Sequence, residues 1–536
     1  MMDLSHYPFA SKRNTVIANR GMVATSQPLA AQAGLDILKK GGNAVDAAIA
    51  TAAALTVVEP TSNGIGSDAF ALVWVKDDQQ LYGLNASGPS AKSISKEALT
   101  ARGLDKIPRH GVIPVTVPGA PAAWAALSKR FGKLPLTEVL APAISYAEDG
   151  YPISVTLGQN WQSAYKKYKT SLTTEEFNAW FDTFSIDGRM PEIGEVWCSP
   201  GHADSLRKIA ATNAEAFYQG EIADKIEAFM KQHDGFITKD DLASYEPEWV
   251  QPIGVHYKGY DVWEIPPNGQ GIVAQMALNI YQHAEPKWQD ADTLHKQIEA
   301  MKLAYTDGKA FVTEHAEMPV DIDTLLSKAY GEARYAEITD TALMPTPYDI
   351  PKGGTVYLAT ADAEGNMVSF IQSNYMGFGS GIVIPGTGIS LQNRGYDFSL
   401  DEKHPNFLKP GKRTYHTIIP GFLTKDNEAV GPFGVMGGYM QPQGHFQVVT
   451  HTVDFALNPQ AALDMPRWQW MGDKRIEVEP HFPNYLVQAL QRKGHDIHVA
   501  VDGAIFGRGQ IIWRDQKTGV LYGGTEPRTD GTIAAW

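Results

Sequence analysis

The chain has 536 residues, of which 43% are hydrophobic and 20% charged, and its net charge is −14. This composition excludes an intrinsically disordered chain, and without a Lys/Arg cluster with interleaved aromatic residues we expect no nucleic-acid partner. The single cysteine, Cys198, excludes an intrachain disulfide. The N-terminus lacks a basic stretch followed by an apolar one, and no apolar run could span a bilayer, so we expect a cytoplasmic protein without a membrane partner.

Two adjoining helices are predicted near the start of the chain. Residues 27–40 have helical apolar spacing, and Gly41-Gly42 ends that helix. Asn43 is a suitable N-cap for a second helix over residues 44–58. This second helix is apolar on nearly all sides, which predicts that it is buried.

A strand hairpin and then several helices are predicted next. The hairpin joins residues 70–75 and 80–84, and a short strand is predicted at 259–264. We expect the acidic residues of the last helix, Glu299 and Asp307, to form a solvated face. The segments with helical spacing are 136–149, 204–212, 223–233 and 292–309.

The last third of the chain favours strands. Residues 345–354 contain three prolines and two glycines, which predicts an exposed loop. Two hairpins follow, and the mixture of helices and strands fits layered packing of helices on sheets. Their strands are 356–361 with 367–373, and 510–513 with 520–522.

The junction between Gly354 and Thr355 has two interpretations. A glycine pair before a strand is typical of a surface turn. Alternatively, the Thr355 hydroxyl attacks the Gly354 carbonyl, and the new N-terminal residue carries an α-amine of pKa roughly 7.7–8 that serves as the base for its own hydroxyl. The chain has no G-x-S-x-G elbow, Walker loop, H-E-x-x-H arrangement or cysteine pair for zinc, so Thr355 is the best nucleophile candidate.

Short motifs along the chain support the second interpretation. The segment 355–362, followed by Gly365-Asn366, resembles the start of the small subunit in the γ-glutamyltransferase family, whose members are N-terminal-nucleophile hydrolases that cleave themselves before a threonine. Six further segments resemble family motifs in the family order. They are 41–48, 64–70, 118–120, 411–413, 436–438 and 526–528.

The resemblance implies both a fold and a maturation step. The fold is α+β, a four-layer αββα sandwich of the N-terminal-nucleophile hydrolase type. Cleavage between Gly354 and Thr355 gives a large subunit, 1–354, and a small subunit, 355–536, which together form one composite domain. The expected partners are a small-molecule amide substrate and a water or amine acceptor, and we expect no metal or organic cofactor.

The resemblance also assigns roles to residues at matching positions. Thr355 is the processing residue and then the catalytic nucleophile. Gly437 and Gly438 match the glycines whose backbone N–H groups stabilise the tetrahedral oxyanion. Ser373 matches a hydroxyl residue near the amine of the nucleophile. Asp397 matches the carboxylate that binds the amino group of a γ-glutamyl substrate.

The departures from the family concern substrate binding. Glutathione-cleaving members hold the substrate α-carboxylate with an arginine, and the matching position here is about Asn85, so the chain resembles a branch without that arginine. His416-Thr417 replaces two adjacent serines that contact the carboxylate, and Tyr375 replaces an asparagine. Arg394 occupies a glutamine-like position and is a candidate for a replacement anion contact.

The leading hypothesis is a self-processing amidohydrolase or acyltransferase that forms an acyl-enzyme on Thr355. Two substrate classes for it, and one function of another kind, remain open. The first is cleavage of γ-glutamyl amides such as glutathione, which general family behaviour favours. The second is cleavage of a non-glutamyl amide, as in family members that resemble cephalosporin acylases or oxamate amidohydrolases, which the missing arginine favours. The third is an uncleaved, non-catalytic homologue that binds a small ligand.

Overall fold

A computed structural model describes residues 13–344, 354–501 and 503–536. None of the helices in this part of the chain is long and apolar enough to cross a membrane. The strands are β1 Val16–Ala18, β2 Gly21–Thr25, β3 Asp68–Val75, β4 Gln80–Ala86, β5 Tyr151–Pro152, β6 Val196–Trp197, β7 Glu248–Val250, β8 Ile253–Tyr257, β9 Tyr260–Glu264, β10 Gly354–Asp362, β11 Met367–Tyr375, β12 Gly421–Lys425, β13 Glu428–Met436, β14 Trp468–Gly472, β15 Arg475–Val478, β16 Asp496–Val499, β17 Arg508–Arg514, β18 Leu521–Thr525 and β19 Thr532–Ala535.

Helices occupy much of the chain before β10 and three segments after it. They are α1 Pro28–Lys39, α2 Ala44–Val58, α3 Lys96–Ala101, α4 Ala120–Phe131, α5 Leu136–Val139, α6 Ala141–Asp149, α7 Val155–Ser171, α8 Asn178–Thr183, α9 Pro200–Thr212, α10 Glu215–Tyr218, α11 Glu221–Gln232, α12 Lys239–Ala243, α13 Gly271–Tyr281, α14 Ala291–Phe311, α15 Ile322–Leu325, α16 Lys328–Tyr335, α17 Gln441–Val453, α18 Pro459–Asp464 and α19 Asn484–Arg492.

Two large sheets form the centre of the described structure. One has the order β1-β18-β17-β13-β12-β9-β8, and the other has the order β19-β2-β10-β11-β3-β4-β7. Neighbouring strands in both sheets pair antiparallel. Each sheet combines strands from before and after Thr355, so the two segments that flank this residue share both sheets.

Alternating side chains show that the two sheets are stacked face to face. In β10, Tyr357 and Ala359 are buried in a cluster between the sheets with Phe422 and Ile512 of the opposite sheet. The intervening Val356 and Leu358 point to the other face and pack with α2. Helices α13, α14 and α17 cover the outer face of the first sheet in the same way. The result is a helix–sheet–sheet–helix sandwich, which confirms the predicted αββα fold.

The predicted N-terminal elements are present. Asn43 caps α2 in a capping box with Asp46, because its side chain accepts the Asp46 N–H and the Asp46 carboxylate accepts the Asn43 N–H. Every residue of α2 is buried, as its apolar sequence predicts. The hairpins β3–β4, β10–β11 and β17–β18 also form.

Two predictions need correction. The predicted helix 136–149 is two helices, α5 and α6, because Pro142 lies in the first turn of α6 and starts a new helix. Glu299 and Asp307 do not form a solvated face, since both are buried. Glu299 pairs with Lys302 and Asp307 pairs with Arg334. The predicted loop 345–354 lies outside the described residues except for Gly354, which begins β10.

Candidate active site

Thr355 lies near the start of β10, a central strand of its sheet, and is fully buried. The strand runs through the Gly354–Thr355 bond, so the structure describes the chain before any cleavage at that bond. Thr355 shares its strand face with Tyr357 and Ala359, which contact the opposite sheet. The Thr355 side chain is therefore directed between the two sheets, and the surface-turn interpretation is wrong.

An irregularity in the β10–β11 pairing places Ser373 beside Thr355. Gly354 opposes Tyr375 and Val356 opposes Gln372, so Thr355 alone faces two residues of β11. Such a β-bulge redirects a side chain. Ser373 Oγ lies 3.0 Å from Thr355 Oγ1 and also accepts the Tyr375 N–H at 2.8 Å.

The two candidate oxyanion glycines follow β13, in the sheet opposite β10. Gly437 has φ +142° and Gly438 has φ +59°, a left-handed backbone that favours glycine. A side chain at Gly437 would lie 3.0 Å from the Gly507 Cα. The Gly438 carbonyl accepts a hydrogen bond from Gln270 Nε2 at 2.9 Å, which fixes the turn.

Asp397 is buried and surrounded by donors, so it is not a solvated loop residue. Its side chain is 4% exposed, and its Oδ1 accepts hydrogen bonds from the hydroxyls of Tyr375 at 2.6 Å and Tyr439 at 3.3 Å. Its Oδ2 lies 3.6 Å from Arg394 Nη1. Burial raises the pKa of Asp397, while the charges of Arg394 and Lys309 oppose that rise.

Arg394 is buried between Tyr375 and Thr417. Its Cζ lies 4.0 Å from the centre of the Tyr375 ring, and its Nη1 donates to Thr417 Oγ1 at 2.7 Å. Its Nε and Nη2 have no hydrogen-bond partner among the described residues. The structure thus brings together Tyr375, Arg394, Asp397 and Thr417, which sequence comparison had assigned to substrate binding.

His416 is part of a buried pair that sequence reasoning did not find. Its Nε2 lies 3.0 Å from Asp68 Oδ2, and its Nδ1 accepts the Ile418 N–H, which places the proton on Nε2. Burial lowers the pKa of His416 well below its usual range and raises the pKa of Asp68 to about 7. Asp68 is the β3 register partner of Ser373, so the pair lies one strand beyond the serine that contacts Thr355.

The position predicted to match the substrate-binding arginine of the family is also occupied by internal contacts. Asn85 is buried, and its Nδ2 donates to Asn268 Oδ1 at 2.9 Å. Arg413, distant in the sequence, donates through Nε to the nearby Ser87 carbonyl at 3.0 Å and pairs with Glu248 at 2.9 Å.

Lys309 of α14 is a further basic group beside Asp397. Its Nζ lies 3.3 Å from the centre of the Tyr439 ring and 4.1 Å from that of Tyr415. Burial lowers the pKa of Lys309 well below its usual range, and the Asp397 charge opposes this change. The helical spacing of 292–309 predicted the helix, but no local signal indicated that its last turn reaches the site.

Comparison with known proteins identifies the class to which this fold and site belong. The γ-glutamyltranspeptidase family model matches residues 30–536, and the chain belongs to this family of N-terminal-nucleophile hydrolases.

Individual relatives span several activities. The chain is 36% identical to the glutathione hydrolase-like YwrD proenzyme of Bacillus subtilis, over 96% of this chain and 98% of that protein. It is 32% identical to the oxamate amidohydrolase proenzyme of Klebsiella pneumoniae, over 97% of this chain and 99% of that protein. The crystal structure of cephalosporin acylase from Bacillus halodurans is 63% identical and superposes with a TM-score of 0.97, covering 100% of this chain and 99% of that one.

Proposed function

We propose that this protein is a self-processing amidohydrolase whose acyl donors lack the α-ammonium group of a γ-glutamyl substrate. The observation that carries the proposal is the engagement of Asp397. The carboxylate that would bind such an ammonium already accepts two tyrosine hydroxyls and lies 3.6 Å from the Arg394 guanidinium. An ammonium placed there would meet a like charge.

The first reaction is cleavage of the chain itself. Thr355 Oγ1 attacks the Gly354 carbonyl carbon, its proton passes through the neighbouring Ser373 hydroxyl, and a tetrahedral oxyanion forms. The Gly354–Thr355 C–N bond then breaks, the nitrogen takes a proton, and an ester remains on Thr355. Water hydrolyses this ester and leaves the Gly354 carboxylate and a free Thr355 α-amine.

The second reaction repeats the attack on an external amide. The free α-amine takes the Thr355 hydroxyl proton, Oγ1 bonds to the substrate carbonyl carbon, and the amine product leaves with a proton. Water or an amine then removes the acyl group from Thr355. Gly437 and Gly438 offer their backbone N–H groups to the oxyanion in both reactions, and their left-handed conformation supports that assignment.

The two products of cleavage, 1–354 and 355–536, should remain together as one composite domain. Both central sheets contain strands from each product, and β10 pairs with β2 on one side and β11 on the other. Separating the products would expose the cluster buried between the sheets.

The relatives support a non-glutamyl substrate. The 63% identical structure is that of a cephalosporin acylase, and the 32% identical relative is an oxamate amidohydrolase. Asn85, which by the resemblance lies at about the position of the glutamate-binding arginine, donates a hydrogen bond to Asn268.

A γ-glutamyl amide is the second candidate substrate. Asp397 Oδ2 has no hydrogen-bond partner among the described residues, so one carboxylate oxygen is open to a donor. The 36% identical relative is a glutathione hydrolase-like proenzyme.

A matched pair of donors separates these two candidates. The p-nitroanilides of glutaric acid and of γ-linked glutamate differ only in the α-ammonium group. For the cleaved protein we expect kcat/KM for the glutaryl donor to exceed that for the γ-glutamyl donor by about tenfold or more, the equivalent of about 1.4 kcal/mol. A preference for the γ-glutamyl donor would refute the proposed specificity. A cephalosporin that carries a glutaryl group on its amine serves as a second test of the glutaryl donor.

A further inference from the structure

We propose that the Nε–Nη2 edge of Arg394 binds a carboxylate on the acyl group of the substrate. The inference rests on the proposed acyl transfer at Thr355 and names the group that selects the acyl donor. Nε and Nη2 carry the N–H groups on one edge of the planar guanidinium, a fork that matches the two oxygens of a carboxylate. Both atoms are buried, and neither has a hydrogen-bond partner among the described residues.

The rest of the Arg394 side chain is fixed, so the fork has a defined direction. Nη1 donates to Thr417 Oγ1 at 2.7 Å, and the guanidinium lies over the Tyr375 ring. The backbone N–H of Arg394 donates to the Gln392 side chain. A buried, charged donor without an acceptor is unfavourable, which indicates that the fork is completed by a ligand.

Asp397 does not complete the fork. Its Oδ1 is occupied by the hydroxyls of Tyr375 and Tyr439. Its Oδ2 lies 3.6 Å from Nη1, which is beyond hydrogen-bonding distance. In addition, Nη1 is not part of the Nε–Nη2 edge. Asp397 therefore supplies a nearby negative charge but leaves the carboxylate-shaped edge open.

The other basic groups near the site are weaker candidates. Arg413 already donates to the Ser87 carbonyl and pairs with Glu248. The Lys309 ammonium lies against the rings of Tyr415 and Tyr439, and a lysine offers no planar fork.

We expect cleavage of the chain to open access to the fork. In the precursor, Gly354 is the register partner of Tyr375, whose ring covers the Arg394 guanidinium. Release of Gly354 from Thr355 removes backbone from beside that ring. Ser373, which contacts Thr355, lies two residues before Tyr375 on β11, so an acyl group on Thr355 must reach past Tyr375 to meet Arg394.

The test compares two donors that differ only in charge at the far end of the acyl group. Glutaryl p-nitroanilide ends in a carboxylate, and glutaramoyl p-nitroanilide ends in a carboxamide of nearly the same shape. The cleaved wild-type protein should prefer the glutaryl donor by about 10- to 100-fold in kcat/KM, the range of a charge-assisted hydrogen bond. The preference should appear mainly in KM, because the contact is remote from the reacting atoms.

Three variants assign the preference to a residue. Arg394→Gln should reduce it to about twofold or less. Arg394→Lys, which keeps the charge but loses the fork, should give an intermediate value. Arg413→Gln is the matched control and should retain the wild-type preference. The inference would be overturned if Arg394→Gln kept the preference or lost the same rate with both donors. It would also be overturned if Arg413→Gln lost the preference.

An inhibition measurement covers the case in which Arg394→Gln fails to fold or cleave. Glutarate should inhibit the cleaved wild-type protein competitively at a concentration about tenfold or more below that needed for glutaramide. Equal inhibition by the two compounds would overturn the inference. If the protein prefers the γ-glutamyl donor but Arg394→Gln still loses the preference for glutaryl over glutaramoyl, only the proposed function is refuted. If the protein prefers glutaryl over γ-glutamyl but Arg394→Gln keeps the preference for glutaryl over glutaramoyl, only this inference is refuted.

Discussion

The hydroxyl groups of Thr355 and Ser373 lie 3.0 Å apart across a β-bulge between β10 and β11. Ser373 Oγ also accepts the Tyr375 N–H, which holds the hydroxyl in place. The nucleophile thus has an ordered partner for its proton in the precursor, before any α-amine exists. The same contact can later orient the α-amine that cleavage creates.

Replacement of Ser373 should therefore slow both reactions. For Ser373→Ala we expect the rates of self-cleavage and of amide hydrolysis to fall by about 10- to 100-fold, since a hydrogen bond to the reacting group is lost. Ser373→Thr retains the hydroxyl and should preserve most of both rates. The appearance of the two fragments on denaturing electrophoresis measures the first rate, and anilide release measures the second. Wild-type rates in Ser373→Ala would show that Ser373 is only a structural residue.

A methyl group at Gly437 should impair catalysis more than binding. Gly437 has φ +142°, which strains any side chain, and a Cβ there would lie only 3.0 Å from the Gly507 Cα. Displacement of an oxyanion donor predicts a fall in kcat of about 10²- to 10³-fold with little change in KM. Gly259→Ala is the matched control, because Gly259 also has a positive φ, +89°, but has open space around it. Equal losses in both variants would contradict the oxyanion assignment.

Self-cleavage should expose the Arg394 fork. An uncleaved Thr355→Ala protein keeps Gly354 beside Tyr375, and Nε and Nη2 of Arg394 are buried in that state. We expect it to bind glutarate at least about tenfold more weakly than the cleaved wild-type protein, as measured by isothermal titration calorimetry. Equal affinities would show that the fork is accessible before cleavage.

A buried histidine pair joins α14, before the processing site, to the residue that precedes β16. His495 Nε2 lies 2.8 Å from His295 Nδ1, and His295 Nε2 donates to the Thr339 carbonyl at 2.7 Å. Glu299 lies beside them and accepts hydrogen bonds from Lys302 Nζ and from the Leu343 N–H. This cluster anchors the described chain shortly before the processing site.

The cluster predicts sensitivity to acid. Burial lowers the pKa of His495 to about 2, and the charges of Lys302, Lys474 and Lys493 act in the same direction. Below pH 6.5 the unfolded chain gains a proton at His495 and the folded chain does not, so the free energy of unfolding falls as pH falls. The loss from this residue is about 2 kcal/mol between pH 6.5 and pH 5.

A histidine variant tests the predicted fall in the free energy of unfolding with pH. It is made in the uncleaved Thr355→Ala background, where unfolding does not separate two products. His495→Gln retains a donor toward His295 and should lose about 2 kcal/mol less than its parent between pH 6.5 and pH 5 in urea unfolding. His498→Asn removes an exposed histidine and serves as the control. If the free energy of unfolding has the same pH dependence in the parent and in His495→Gln, the acid sensitivity does not come from His495.

The sequence predicted the parts of the fold that depend on local patterns. The Asn43 cap, the buried helix after it and the β10–β11 hairpin all follow from residues close together in the chain. The family resemblance predicted that Ser373 lies near Thr355, and the β10–β11 hairpin brings the two residues onto adjacent strands.

Long-range contacts and local irregularities were not predictable in this way. Asp68 and His416 are 348 residues apart and meet only because the two sheets stack. The helical spacing of 292–309 indicated a helix but not its surroundings, so Glu299 was assigned to a solvated face although it is buried. The bulge at Thr355 has no local sequence signal, yet it determines which β11 side chain contacts the nucleophile.

Intact mass and N-terminal sequence of the purified protein test the central claim most directly. Cleavage before Thr355 predicts fragments of 354 and 182 residues, since 536 − 354 = 182, and the smaller fragment should begin Thr-Val-Tyr-Leu. Thr355→Ala should remain a single chain of 536 residues. A wild-type chain that stays whole under conditions where the protein is folded, or cleavage of Thr355→Ala at the same bond, would contradict the account.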